Sequence, residues 1–307
     1  MKLKEAAKKE ERLTGGHRLC SGCGAGTVAR LVMRASDNPA VVGCATGCLE
    51  VSTTIYPYTA WEDSFIHNAF ENVAATISGV EAAYRSLRNQ GKMDEDFDFI
   101  AIGGDGGSYD IGFQSLSGAM ERGHDMVYLC YDNGAYMNTG IQRSSATPKG
   151  ASTTTSPAGE VIPGKQQYRK ELTDIMAAHN IPYVAQASPF KPQDLMKKAK
   201  KAFEVDGPAF LNVLAPCPRG WRSKAEEGIE LSKIAADTCF WPLFEVENGE
   251  WKLNYNPKDK KSITEWLEPQ GRFNHLFQEK NESVIEEIQE HVDQRWETIL
   301  HRCGEKE

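Results

Sequence analysis

Two loops carry the residues best suited to chemistry. The first, Gly103-Gly104-Asp105-Gly106-Gly107-Ser108, follows the apolar run Phe99-Ile100-Ala101-Ile102. The second, Asp132-Asn133-Gly134-Ala135-Tyr136-Met137-Asn138-Thr139-Gly140, follows the apolar run 126–131. Glycines let backbone approach a ligand closely, and the start of a following helix presents unpaired N–H groups to phosphate. An aspartate in such a turn repels a bare anion, so a hard cation belongs between the two. Mg2+ takes oxygen ligands in octahedral geometry, usually from one or two protein groups plus substrate phosphates. Asp105 offers one oxygen, Asn133 a second 28 positions later, and a backbone carbonyl near Ala135 a third. The dinucleotide fingerprint G-x-G-x-x-G does not fit, because Tyr109 stands three positions after Gly106.

Cysteines form the second group. The chain has 8 of them, and Cys20, Cys23, Cys48 and Cys217 fall in loops marked by glycine or proline. Cys20 and Cys23 make a C-x2-C pair, able to hold two corners of a metal site. Cys48 and Cys217 each follow an expected strand, so the fold can bring them to the sheet edge where Asp105 and Asn133 also lie. Four thiolates accept either zinc or an iron–sulfur cluster, and spacing alone leaves both open. Cys44 and Cys130, in or beside apolar strands, read as core thiols. Cys44 is the competitor to Cys48 for the third corner. Cys239 and Cys303 are expected to take no part.

The elements that must position these groups alternate. A helix runs from the C-x2-C turn to about Ala35, a strand covers 41–43, and a helix is expected over 66–87. Helices at 168–180 and 191–204 interleave with strands at 182–187 and 209–214. Alternation of this kind implies an α/β fold: a doubly wound, mainly parallel sheet with helices on both faces. Such sheets bind ligands outside the carboxyl ends of their strands. The Ser/Thr/Gly/Pro-rich stretch 143–165 is long for a loop in a compact domain and is expected to be functional. Residues 1–16 read as a solvated arm or a partner contact, and 17–240 as the binding domain. Residues 241–307 read as an extension for subunit contacts, with a hairpin around Asn248-Gly249 and a charged helix over 273–301.

Composition narrows the classes. Hydrophobic residues at 40% and charged residues at 25% are ordinary for a soluble globular protein. A net charge of −8 without a basic cluster argues against nucleic acid as a partner. No apolar run reaches membrane-spanning length, and the opening residues lack the apolar region of a secretory signal, so the cytoplasm is expected.

The string Gly104-Asp105-Gly106, 26 residues and then Asn133 is similar to the thiamine diphosphate motif. The longer strings Gly-Asp-Gly-Gly-Ser-Tyr-Asp-Ile-Gly and Tyr-Asp-Asn-Gly-Ala-Tyr-Met-Asn-Thr-Gly-Ile-Gln resemble the β subunit of 2-oxoacid:ferredoxin oxidoreductases. The pyruvate synthase type is the nearest, and the family includes oxalate oxidoreductase. The resemblance runs from about His17 to about Arg272. It implies thiamine diphosphate, with its diphosphate on Mg2+ at Asp105, Asn133 and the Ala135 carbonyl. Gly47, Phe70, Gly104, Gly106 and Ser108 then contact the cofactor, and Asn138 is the catalytic side chain beside thiazolium and substrate. It implies a [4Fe–4S] cluster on Cys20, Cys23, Cys48 and Cys217, with Cys48 preferred over Cys44 by its Ala-Thr-Gly-Cys setting.

The implied reaction is oxidative decarboxylation of a 2-oxoacid, foremost pyruvate to acetyl-CoA and CO2, with electrons passing to ferredoxin. The glutamate that activates the cofactor ring comes from the α subunit in multisubunit relatives. The chain is therefore expected to be inactive alone, with the partner holding most substrate-carboxylate and coenzyme A contacts. Gly134 departs from the Asp-Asn-Glu-Ala-Tyr pattern of pyruvate members. Losing that carboxylate would suit a more anionic substrate such as oxalate; relatives also use 2-oxoisovalerate, 2-oxoglutarate and indolepyruvate. Arg143 either pairs with a phosphate or substrate carboxylate or is solvated. His67 lies nearest the site, but no histidine is assigned to catalysis. Two rival readings are a non-oxidative thiamine decarboxylase and an electron-transfer or scaffold subunit with zinc or iron–sulfur and no thiamine.

Overall fold

The computed structural model describes residues 3–305. Its frame is one sheet of eight strands: β1 (Ala40–Ala45), β2 (Ser64–Asn68), β3 (Asp98–Gly104), β4 (Val127–Asp132), β5 (Tyr183–Ala187), β6 (Ala209–Leu214), β7 (Phe244–Glu247) and β8 (Glu250–Leu253). Their spatial order is β2-β1-β3-β4-β6-β5-β7-β8. The first six pair in parallel, and β7 and β8 add antiparallel beyond β5. This is the doubly wound, mainly parallel α/β sheet that the alternation predicts.

Central strands such as β4 and β6 are buried along their whole length, which is why they read as unbroken apolar runs. Their side chains alternate between two cores. Ile100, Ile102 and Leu129 pack with helices Gly24–Met33 and Pro192–Glu204 on one face. Phe99, Ala101 and Tyr128 pack with helices Val73–Asn89 and Phe113–Glu121 on the other. Trp266, Phe273, Leu276 and Ile299 from the C-terminal stretch belong to this second core. No helix among the described residues is long and apolar enough to cross a membrane.

Several local expectations change. Residues 64–68 are strand β2, paired in register with β1 (Val42 beside Phe65), and the helix begins only at Val73. An edge strand that is half exposed carries little apolar signature, and its pairing overrides the helical bias of the alanine-rich sequence behind it. The expected helix at 168–180 shortens to Leu172–Ala177. The C-terminal helix occupies Glu282–Arg302, after 3₁₀ turns at Gly271–Phe277 and Glu279–Asn281. Helices Cys48–Thr53 and Gly228–Asp237 were not expected. The N-terminal arm is not solvated throughout: Leu13 is fully buried and bridges Trp61.

The hairpin β7–β8 turns at Asn248-Gly249 with both residues at positive φ, as a type I′ turn requires. Glu245 fastens it to the domain, accepting from Tyr183 Oη at 2.7 Å, Lys201 Nζ at 3.1 Å and Asn254 Nδ2 at 3.2 Å. Burial alone would raise the Glu245 pKa, but these donors hold it down at about 2. A depressed carboxyl pKa adds stability that is complete above the unfolded value and fades as pH falls toward the folded one. Replacing Glu245 by glutamine should therefore cost about 2–3 kcal/mol at pH 7. Denaturant midpoints of the two proteins should converge between about pH 4 and pH 2.

Candidate active site

Parallel pairing of β3 with β4, Gly104 beside Tyr131, brings both chemical loops out side by side at one end of the sheet. Asp105 is 1% exposed. Its Oδ2 accepts from the Ser144 hydroxyl, and its Oδ1 faces the Asn133 backbone N–H at 3.4 Å. The Asn133 side-chain oxygen faces only acceptors, Asp105 Oδ1 and the Ala135 carbonyl; turned over, its N–H would donate to both at 2.9 Å. Three oxygens thus meet at one point. The Asn133 oxygen stands 2.9 Å from each of the other two, about the edge of an octahedron with Mg2+–oxygen distances near 2.0–2.1 Å. The donor set fits that ion: one carboxylate, one amide oxygen and one backbone carbonyl, all hard. Burial pushes the Asp105 pKa well up, and the neighbouring Asp132 carboxylate adds to this; Ser144 and the Asn133 N–H pull the other way. A cation reverses that balance by favouring the ionised form.

The oxygens sit in a cleft with about 330 Å³ of open space. Its walls include Gly47, Phe70, Gly104, Asp105, Gly106, Asn133, Ala135 and Asn138. Ser108 lies behind the turn instead, its hydroxyl 2.8 Å from the Gly104 carbonyl and 2.9 Å from Tyr128 Oη. Asn138 stands at the exposed rim. After Asp105 the chain makes a π-helical turn, Gly106–Ile111, closed by Gly112 N–H on the Gly107 carbonyl at 2.7 Å. Gly106 permits the closest approach there: a Cβ would stand 2.3 Å from the Tyr136 ring, whose hydroxyl donates to the Gly106 carbonyl at 2.8 Å. His67 is away from the oxygens, its ring 2.7 Å from Glu50.

The cysteine loops open at the same edge. Cys23 caps helix Gly24–Met33, Cys48 begins helix Cys48–Thr53, and Cys217 precedes the turn Pro218–Trp221. Burial, and after it the thiols of Cys217, Cys23 and Cys20 and the Asp105 carboxylate, together raise the Cys48 thiol to about 12. Cys217 is raised by burial and by Cys23 and Cys20, against the Gly220 N–H and Arg272. The four thiols are therefore electrostatic neighbours of one another, and Cys48 is a neighbour of the aspartate as well. Without a cation Cys23, Cys48 and Cys217 resist ionisation; a cationic metal core would reverse this, since the thiolate is the ligand form. Gly24 lets the C-x2-C helix lie against the loop that carries Cys217. Its N–H donates to the Pro216 carbonyl at 2.8 Å, and a Cβ there would stand 2.6 Å from Pro216 N. Cys44 and Cys130 are buried in the two cores and Cys239 is buried as well. Among the described residues, no three His, Cys, Asp or Glu side chains group closely enough to hold one metal ion.

Three connections were not anticipated. Trp221, just after Cys217, donates from its indole to the Asn133 carbonyl at 2.7 Å and so stitches the two sites together. Arg169 pairs with Asp132 at 2.6 Å and lies over the Trp241 ring, neutralising the second buried aspartate. Ser144 and Thr147 in the long loop reach Asp105 and the Gly134 carbonyl, one in each chemical loop. The only sequence signal for these two was the loop's length and its position directly after the second chemical loop.

Comparison with known proteins gives the class. The sequence matches the family described as thiamine pyrophosphate enzyme, C-terminal TPP binding domain, over residues 42–213, from β1 to β6. It is 52% identical to the pyruvate synthase subunit PorB of Thermotoga maritima, covering 96% of this chain and 93% of that protein. It is 53% identical to the PorB of Methanocaldococcus jannaschii, with 94% and 96% covered. The ketoisovalerate oxidoreductase subunit VorB of Pyrococcus furiosus is 43% identical, with 94% and 93% covered. A solved 2-oxoglutarate:ferredoxin oxidoreductase from Magnetococcus marinus shares the fold, with a TM-score of 0.56, 22% identity, and 76% and 80% covered. The chain belongs to the β-subunit family of 2-oxoacid:ferredoxin oxidoreductases, the family of pyruvate synthase PorB. It is an oxidoreductase subunit.

Proposed function

We propose that the chain binds thiamine diphosphate through Mg2+ and carries one [4Fe–4S] cluster, and that with its partner subunits it oxidises a 2-oxoacid. The observation that supports this reading best is the Asn133 side-chain oxygen facing both Asp105 Oδ1 and the Ala135 carbonyl, with the loops of Cys20, Cys23, Cys48 and Cys217 opening at the same sheet edge. Asp105, Asn133 and the Ala135 carbonyl would hold the metal, and the N–H groups after Gly106 face its diphosphate side. When bound, thiamine diphosphate supplies the electron sink for loss of CO2. A cluster held by Cys20, Cys23, Cys48 and Cys217 would supply one-electron redox chemistry toward ferredoxin, which a zinc ion in its place would not. Asn138, at the rim, presents an amide donor where charge develops on a substrate oxygen. Burial of Asp105 would limit water on that side of a bound metal. No residue of this chain is assigned to activate the cofactor ring, so the glutamate for that task and most coenzyme A contacts belong to the α subunit.

Pyruvate is the proposed substrate, because the relatives above 50% identity are pyruvate synthase subunits. Oxalate is the second reading. Gly134 contributes no carboxylate, and the Arg272 guanidinium lies 3.1 Å from where its Cβ would be, which favours added negative charge nearby. The test is turnover by the native complex, purified without oxygen and given each 2-oxoacid with coenzyme A and a viologen acceptor. Pyruvate-dependent viologen reduction is expected. Good turnover of oxalate with none of pyruvate would move the assignment to the second substrate, and no reduction with any 2-oxoacid would overturn the function.

A further inference from the structure

Residues 144–147 fold back over the metal-binding loops. The Ser144 hydroxyl donates to Asp105 Oδ2. The Thr147 hydroxyl donates to the Gly134 carbonyl at 2.7 Å, one residue before Ala135. The two are locked together: Ser144 N–H donates to Thr147 Oγ1 at 2.9 Å, and Ala146 N–H to Ser144 Oγ at 3.2 Å. Lys165 closes the turn from behind, donating to the carbonyls of Ser145 at 3.2 Å and Thr147 at 2.5 Å. Ser145 holds Asp110 through its N–H at 2.8 Å and through its hydroxyl, which ties the turn to the π-helical segment after Asp105. Ser144, Thr147 and Lys165 are at most 1% exposed.

A loop that merely packed would spend its hydroxyl protons within itself. Here each hydroxyl has one proton to give, and both go to atoms flanking the three metal oxygens. With Oδ2 of Asp105 taken by Ser144, Oδ1 is the oxygen left to face Asn133 and Ala135. With the Gly134 carbonyl held by Thr147, the adjoining Ala135 carbonyl is fixed in direction. We infer that Ser144 and Thr147 are positioning residues for the Mg2+–diphosphate site, choosing the carboxylate oxygen that meets the metal and aiming the carbonyl beside it. The inference rests on the thiamine diphosphate reading above. Groups one shell out from a metal change its affinity by about 10- to 100-fold when removed.

The test is Mn2+ titration of the intact complex, stripped of cofactor, with thiamine diphosphate in excess, following the EPR signal of free Mn2+. Ser144→Ala should weaken Mn2+ binding by about 10- to 100-fold and Thr147→Val by about tenfold, with Thr147→Ser close to the unaltered protein. The half-saturating Mg2+ concentration for turnover should rise in step, while KM for the 2-oxoacid at saturating Mg2+ stays put. Should Ser144→Ala fail to assemble, the contrast between Thr147→Val and Thr147→Ser carries the decision. Binding within about twofold of the unaltered complex in the variants that assemble would overturn the inference. Absence of Mn2+ binding by the unaltered complex would bring down the cofactor reading itself, and the inference with it, a result distinct from equal binding by all variants.

Discussion

Alanine at position 105 is expected to abolish capture of thiamine diphosphate by the complex while leaving its iron in place. Asp105 supplies the one negatively charged oxygen of the three that converge, and the diphosphate cannot replace it, because the diphosphate is itself anionic. Loss of a neighbour one shell out already costs a metal about 10- to 100-fold, so loss of the charged ligand should exceed about 100-fold. Equilibrium dialysis with Mg2+ and thiamine diphosphate measures it. Asp105→Asn separates function from folding. It removes a buried charge that the metal-free protein carries at a cost, and it keeps an oxygen for Ser144. The metal-free Asp105→Asn protein should unfold at the same denaturant concentration as the parent or higher, yet bind the cofactor as poorly as the alanine variant. Cofactor affinity unchanged in both variants would contradict the assignment of Asp105.

A valine at Gly24 should act on the other site. Gly24 lies against Pro216, with 2.4 Å between its Cβ position and Pro216 Cδ. A branched side chain must push the C-x2-C helix away from the loop that carries Cys217. Overpacking of this kind costs about 1–3 kcal/mol, which a chain of this size survives. The proposed cluster would not survive it, because Cys20 and Cys23 would be held away from Cys48 and Cys217. The expected result is a folded complex short of about four irons per chain, as in Cys217→Ser. Thiamine diphosphate binding should persist and turnover with viologen should fall by more than about 100-fold. Full iron content in both variants would contradict the four-cysteine assignment.

The two loops were legible because their signals are local. Asp105 and Asn133 each follow an apolar strand that is buried along almost its whole length, and parallel neighbours of that kind leave their loops at one edge whatever the rest of the chain does. The cysteines were legible in number, and strand order brings the loops of Cys23, Cys48 and Cys217 to one edge, but Gly24 against Pro216 could not be read before the two segments touched. Strand β2 was hidden because Ser64–Asn68 is an edge strand whose identity comes from pairing with β1, and the alanines behind it speak for a helix. The π-helical turn after Asp105 looks like any helix start in sequence. Ser144, Thr147 and Trp221 had no local signal of their own. Their roles lie in hydrogen bonds to residues 39, 13 and 88 positions away. Ser108 shows the opposite limit: it sits in the motif, yet its hydroxyl faces away from the cleft toward Tyr128.

The central claim is that one edge of this sheet holds both a magnesium-bound diphosphate and an iron centre. Anomalous diffraction at the iron edge, from crystals of the complex grown without oxygen and with thiamine diphosphate, tests it directly. The account predicts an iron peak enclosed by Cys20, Cys23, Cys48 and Cys217, and diphosphate density against Asp105 and Asn133 in the same map. A peak at the zinc edge alone among those sulfurs, or a diphosphate bound away from Asp105, would contradict it.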